Sequence, residues 1–332
     1  MGQVLLTGAS GFIGRNLMEH LRQDGFQPIA WVRNQTSALD FEQLGYQVQV
    51  GDLAEASRFI RKSPSIGAVI HLASVVAPIS RAQTFEVNVA MTQRLALSCS
   101  ELPNPPTFVY VSSLSASGPC VDGLWRRESD LCMPRSIYGE SKAAAEESLK
   151  LLASKIPISI VRPPAVIGPW DRNLLQMFQT VKKGWNLIGI SSKYQYSFIH
   201  VADLTRGIVD VMNRGKRLMD RADSGIYFLS DANPITFVEL GNQVAKALQA
   251  PSPRHITVPR TVCKAVALVS EAAARGLKMR TYLNLDKIRE AEAGSWVCDT
   301  TRAREELGFV IDTPLQQRVL ETADWYRSQI WI

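Results

Sequence analysis

Over roughly the first 165 positions, short continuous apolar runs alternate with amphipathic stretches. Val4, Leu5 and Leu6 form the first run, which reads as a buried strand and ends at once in glycines. Positions 12–24 then carry a helical period, and Gly25 follows as a C-cap. The rhythm repeats, with strands predicted at 29–33, 47–50, 69–72, 108–112 and 158–162. A short helix runs through Phe59 and Ile60, and longer helices are predicted over 84–99 and 138–153. Strands that are apolar throughout must be buried on both faces. Alternating with helices, they predict an α/β fold with a parallel sheet covered on each side, doubly wound through right-handed crossovers.

After about Pro163 the rhythm changes. Helices are predicted at 174–183, 201–213, 237–248, 260–275 and 315–327, separated by short strands and loops. Pro251-Ser252-Pro253 reads as a linker. The stretch 262–277 is apolar but interrupted by Lys264, Glu271 and Arg275, so it is too short and too charged to span a bilayer. It reads as an amphipathic helix covering the core, with a place at a membrane surface as the alternative, and its apolar character hints at a hydrophobic substrate. At about 150 residues per domain, 332 residues suggest two units, the second smaller and mostly helical.

Composition narrows the function classes. A 46% hydrophobic, 20% charged chain is an ordinary globular one. The net charge of +6 is spread over short clusters (Arg126-Arg127, Lys182-Lys183, 214–221), which read as solvated surface rather than a nucleic-acid interface. The excess would steer anions toward the protein. Five cysteines without C-x-x-C spacing and four isolated histidines indicate neither a metal site nor a disulfide framework. The start of the chain lacks a signal-peptide pattern, and the expected setting is the reducing cytoplasm.

Thr7 to Gly14 spells TGASGFIG, a G-x-x-G-x-x-G loop between the first strand and the first helix. Gly8 permits the tight turn, Gly11 a close backbone approach to a pyrophosphate, and Gly14 close packing of helix on sheet. The helix start at Phe12 and Ile13 would then offer its N–H groups to a diphosphate. This predicts a Rossmann-type dinucleotide site. The second strand ends Trp31-Val32-Arg33, without the acid that holds a ribose 2′-hydroxyl. Arg33, with Ser10, suits a 2′-phosphate, which favours NADP over NAD as the cofactor. Asp52, followed by Leu53, either meets the adenine edge or caps the next helix.

Tyr138 and Lys142 form Y-x-x-x-K. On a helix, i and i+4 share one face about 5–6 Å apart. The ammonium would then favour the phenolate, lowering a tyrosine pKa from about 10 and making a usable acid or base. Ser112, Ser113 and Ser115 lie at the end of the fifth strand, on the side of the sheet where ligands bind in this topology.

Together these segments resemble the extended short-chain dehydrogenases/reductases of the NAD-dependent epimerase/dehydratase type. The similarity runs through TGASGFIG (7–14), GDL (51–53), HLAS (71–74), Asn88, YVSSLSASG (110–118), YGESK (138–142), RPPAVIGP (162–169) and FIHVADL (198–204). Trp296 to Asp299, Glu306 to Gly308 and Trp325-Tyr326 extend it through the tail. The resemblance implies that Ser113, Tyr138 and Lys142 are catalytic, that Lys142 also binds the nicotinamide ribose, and that Leu72, Ala73 and Ser74 line the adenosine and ribose path. Asn88 would be a structural hydrogen-bonder. A Rossmann domain over 1–165, rejoined by about 195–230, and a substrate-binding part over 166–332 follow from the same likeness.

Departures select a branch. Sugar-nucleotide enzymes carry R-x-x-N after the sixth strand, whereas this chain has Arg162-Pro163-Pro164-Ala165. The dehydratase Thr-Asp-Glu is replaced by Ser113-Leu114-Ser115. Val32-Arg33 is more similar to the dihydroflavonol-reductase and 3β-hydroxysteroid-dehydrogenase branches. The reading is therefore an NADP(H)-dependent oxidoreductase acting on a carbonyl or secondary alcohol of a small molecule. A sugar-nucleotide epimerase/dehydratase and a non-catalytic NAD(P)-binding protein are the alternatives. Family habit adds a homodimer through helices near 84–99 and 138–153.

Overall fold

The computed structural model describes residues 2–76, 80–219, 223–276 and 284–332. Its centre is a seven-stranded parallel sheet. Six strands come in chain order: β1 (Gln3–Thr7), β2 (Gln27–Val32), β3 (Gln47–Val50), β4 (Ile66–His71), β5 (Thr107–Val111) and β6 (Ile158–Arg162). The seventh, Ile226–Phe228, pairs with β6 as the opposite edge from β3. β1 and β4 are neighbours, so the strand order reverses between them and a crevice opens beyond their carboxyl ends. This is the Rossmann-type doubly wound architecture.

The uninterrupted apolar strands have the expected cause. One face packs Val4, Leu6, Ala30 and Ile70 against Leu17, Met18 and Leu21 of the helix Phe12–Gln23 and against Leu204, Ile208 and Val211 of the helix Val201–Arg214. The other packs Leu5, Ile29, Val69 and Tyr110 against Ile60, Leu95 and Leu149 from three further helices. A separate apolar cluster joins the helices Leu175–Lys182, Phe237–Leu248 and Leu315–Ser328.

Three local differences from the sequence reading matter. The stretch read as one helix over 84–99 is an α-turn (Arg81–Phe85), a π-helical turn (Glu86–Ala90) and an α-helix (Met91–Ser100). The wide turn carries Asn88, whose side chain accepts from Val75 N at 2.7 Å and donates to Ser141 Oγ at 2.9 Å, tying the loop after β4 to the helix Ile137–Lys150. Pro251 to Pro253 is a short connection into a strand, Arg254–Val258, which pairs in parallel with Trp185–Gly189. The helix Arg260–Gly276 does not cover the core: Val262, Val266, Leu268 and Val269 are 47, 47, 53 and 70% exposed. Its polar side, not its apolar one, faces the helix Leu285–Glu292, where Lys264 meets Glu292 at 3.0 Å and Glu271 accepts from Leu285 N. Leu277, the last residue of that stretch, lies outside the described residues.

Candidate active site

A cleft of about 750 Å³ opens beyond β1, β4 and β5. Its first wall is the glycine loop. Gly8 has φ +77°, and a Cβ there would stand 2.7 Å from Ala73 N. Gly14 lies so close to the loop that a Cβ would come 2.3 Å from Gly8 O. These contacts enforce glycine at both positions. Gly11 is the N-cap of the first helix and brings no capping side chain, and no acid occupies the first turn. The amides of Phe12, Ile13 and Gly14 therefore start the helix without a side-chain acceptor, a donor set that fits a diphosphate.

The loop's Ser10, Gly11, Phe12 and Ile13 share the cleft with Arg33, Asp52 and Leu53 from the ends of β2 and β3. Arg33 is exposed and forms no ion pair among the described residues. Asp52 accepts from Glu55 N at 2.8 Å while Glu55 accepts from Asp52 N, so it is a helix N-cap in a complete capping box. Of the two readings of Asp52, the structural one is realised, and its carboxylate is partly committed. Leu72, Ala73 and Ser74 continue the wall from β4.

Ser113, Tyr138 and Lys142 line the same cleft. Ser113 follows β5, and its Oγ accepts from Ser115 N at 3.1 Å. Tyr138 and Lys142 share one face of the helix Ile137–Lys150. Lys142 is 1% exposed and donates from Nζ to Val111 O at 2.8 Å, with the Tyr138 ring centre 5.9 Å away. Burial pushes its pKa down to about 7, against the opposing pull of Glu146. Burial, then the charge of Glu290, raises the Tyr138 phenol above its ordinary value, while hydrogen bonding with Ser113 and Ser74 acts the other way. This corrects the expectation of a tyrosine lowered by its lysine. Lys142 is itself desolvated and donates to the Val111 carbonyl, and burial outweighs it at the phenol.

Beneath the site lies a buried ion pair. Glu146, one turn beyond Lys142, receives Arg162 Nε at 3.0 Å and Nη2 at 2.6 Å, and it accepts the Ser112 hydroxyl. Arg162 and Glu146 side chains are 1 and 0% exposed. The pair joins the ends of β5 and β6 to the helix that carries Tyr138.

Sequence reasoning did not find the groups that come from far along the chain. Ile137 N donates to both Asp286 oxygens at 2.9 Å. Lys287 Nζ sits 5.7 Å from the Tyr138 ring centre and 2.5 Å from Glu290. No element is predicted over 285–292 from the sequence, and nothing in that segment marks its neighbour. Val87 and Met91 also line the cleft without a local signal. Among the described residues no His/Cys/Asp/Glu group is placed to hold a metal, and no helix is long and apolar enough to cross a membrane.

The chain is 28% identical over 335 residues to the ceramide reductase of Caulobacter vibrioides, covering 100% of this chain and 96% of that one. It is 25% identical to a dihydroflavonol 4-reductase-like protein of Synechocystis sp., covering 98 and 95%. Its fold matches dTDP-glucose 4,6-dehydratase from Bacillus anthracis in complex with NAD at a TM-score of 0.76, with 17% identity over 100 and 98% of the two chains. The model of the NAD dependent epimerase/dehydratase family matches residues 4–221, and with the glycine loop, the Y-x-x-x-K helix and the doubly wound sheet in place the chain belongs to that family.

Proposed function

We propose that this protein is an NADP(H)-dependent reductase or dehydrogenase that transfers a hydride between nicotinamide and a carbonyl or secondary alcohol of a small, apolar substrate. The observation that carries the reading is one cleft holding Ser113, Tyr138 and Lys142 at one part of its wall and an unpaired Arg33 at another. The amides of Phe12, Ile13 and Gly14 would hold the cofactor diphosphate, Arg33 and Ser10 the adenosine 2′-phosphate, and Leu72 to Ser74 the adenosine and ribose. When bound, the cofactor supplies or accepts the hydride.

The chain's own groups handle the proton. The Ser113 hydroxyl donates to the carbonyl oxygen and polarises it. The Tyr138 phenol, held protonated by its burial, delivers the proton as charge develops on that oxygen. Lys142 binds the nicotinamide ribose and restores the phenol's proton, a role supported by burial that pushes its pKa down to about 7. Val76, Val87, Met91, Pro164 and Val166 give the cleft an apolar wall, which supports an apolar substrate. The name of the Caulobacter relative, a ceramide reductase, supports the same class. Exposed Leu97 on the helix Met91–Ser100 and Leu151 at the C-cap of the helix Ile137–Lys150 support a homodimer through those helices.

A fluorescence titration with NADPH and NADH tests the reading. Wild-type protein is expected to bind NADPH more tightly. Arg33→Ala should lose about 10–100-fold in NADPH affinity, the equivalent of one or two charge-assisted hydrogen bonds, with NADH binding unchanged. Preference for NADH, or NAD that stays bound through purification, would move the assignment to a sugar-nucleotide epimerase.

A further inference from the structure

The helix Arg260–Gly276 packs on the helix Leu285–Glu292 and turns its apolar stripe to solvent. Val262, Val266, Val269 and Ala273 follow an i, i+4, i+7, i+11 stripe, and all four are exposed. Lys264, Ala267 and Glu271 lie on the other side, against the helix Leu285–Glu292. The apolar face is not a wall of the substrate cleft, to which no described side chain of this helix contributes. An exposed apolar stripe on a folded protein marks a surface that meets something apolar.

Charge identifies the partner. From position 254 to 270 the chain carries Arg254, Arg260 and Lys264 and no acid. Glu271 is turned inward onto Leu285 N, and Glu292 is shared between Arg260 and Lys264, so two cations meet one carboxylate. The strand leading into the helix adds exposed Ile256 beside exposed Leu187 and Trp185, with the Arg254 guanidinium 5.6 Å from the Trp185 ring centre. Lys182 and Lys183 precede Trp185 and form no ion pair among the described residues. Valines on the helix, basic stems at the neighbouring edge and a tryptophan–arginine pair on the adjoining strands make up a surface suited to an anionic bilayer.

We propose that the helix Arg260–Gly276, with the edge formed by Trp185, Leu187 and Ile256, is a docking surface for anionic phospholipid membranes. The valine stripe enters the headgroup–acyl boundary, while the exposed Lys182, Lys183 and Arg254 at the neighbouring edge reach lipid phosphates. The inference does not depend on the substrate reading: it predicts binding to lipid with or without turnover. It is compatible with an apolar substrate that partitions into the same bilayer.

The test is flotation of the full-length protein with vesicles of phosphatidylcholine alone and of phosphatidylcholine with phosphatidylglycerol. The protein is expected to float with the anionic vesicles and to dissociate as salt is raised. Val266→Asp/Val269→Asp should lower the bound fraction by on the order of tenfold, with the NADPH titration unchanged. Val262→Gln/Val269→Gln serves as a milder variant if the first fails to fold. Wild-type protein that stays with the dense fraction overturns the proposal, as does a folded variant that floats like the wild type. A dimer in sedimentation velocity that Val266→Asp/Val269→Asp splits would also overturn it, by showing that a second copy covers this face.

Discussion

Glu290 accepts the hydroxyl proton of Ser136 at 2.5 Å, across 154 positions of chain. Ser136 is the N-cap of the helix that carries Tyr138 and Lys142, and its Oγ accepts from Gly139 N at 3.0 Å. A carboxylate from the distant helix Leu285–Glu292 is thereby fixed beside the phenol. Its charge disfavours the phenolate. Glu290→Gln keeps the shape and removes the charge, so Tyr138 should ionise at lower pH. In the alcohol-oxidation direction the rising limb of kcat/KM against pH is expected to move toward lower pH. A Ser136→Ala variant should cost about 1 kcal/mol of stability in urea denaturation, the usual loss for a helix cap. An unmoved pH limb in Glu290→Gln would remove Glu290 from any part in setting the phenol.

Tyr138→Phe should lower kcat by about 10²–10⁴-fold, the range typical of a positioned acid or base. NADPH affinity should stay within about twofold, because the cofactor's diphosphate and 2′-phosphate contacts are proposed on other residues. Retained turnover in a folded Tyr138→Phe protein would show that the proton comes from elsewhere.

The buried pair Arg162–Glu146 predicts strong non-additivity. Arg162→Met leaves an uncompensated carboxylate in the core and should cost about 3–5 kcal/mol. Adding Glu146→Leu should restore part of that loss, since two apolar side chains need no partner. The double variant should still be a poor enzyme, because the link from Ser112 and β6 to the Lys142 helix is gone. Urea midpoints for the two singles and the double give the coupling; strictly additive losses would mean that the pair is not a unit.

His71 gives an acid-stability prediction. It is fully buried between Thr7 and Thr92, its ring nitrogens 2.6 and 2.8 Å from their hydroxyls. Burial, then the charge of Lys142, pushes its pKa down to about 3. The unfolded chain, with an ordinary histidine near 6.5, binds the proton first. Stability from His71 is therefore full above about pH 6.5 and is lost as pH falls toward 3. Denaturation midpoints measured from pH 7 down to 4 should fall more steeply for the wild type than for His71→Gln, and equal slopes would contradict this reading.

Much of this was legible in the sequence because it is local. Gly14 is required by contacts within one strand–loop–helix turn and Gly8 by its φ of +77° in that turn, and Tyr138 and Lys142 share a face through helical spacing alone. The strands read as buried because they are apolar at every position. Ser113, Arg33 and Ser74 could be placed at the cleft because strand ends converge in a doubly wound sheet. The π-turn at Glu86–Ala90 was not legible, since its residues have no distinctive pattern and the turn is held by Asn88 reaching Val75 and Ser141.

What the sequence by itself determined is therefore the sheet, the glycine loop and the candidate side chains that line the cleft. The tertiary structure alone decided the electrostatics around Tyr138: burial raises the phenol, burial lowers Lys142, and Glu290, Lys287 and Asp286 arrive from the far end of the chain. It also decided which way the helix Arg260–Gly276 turns. Periodicity gives a helix two faces but not the direction in which they point. Here the ion pairs of Arg260 and Lys264 with Glu292, and the bond from Leu285 N to Glu271, hold the polar face inward and leave the valines outside.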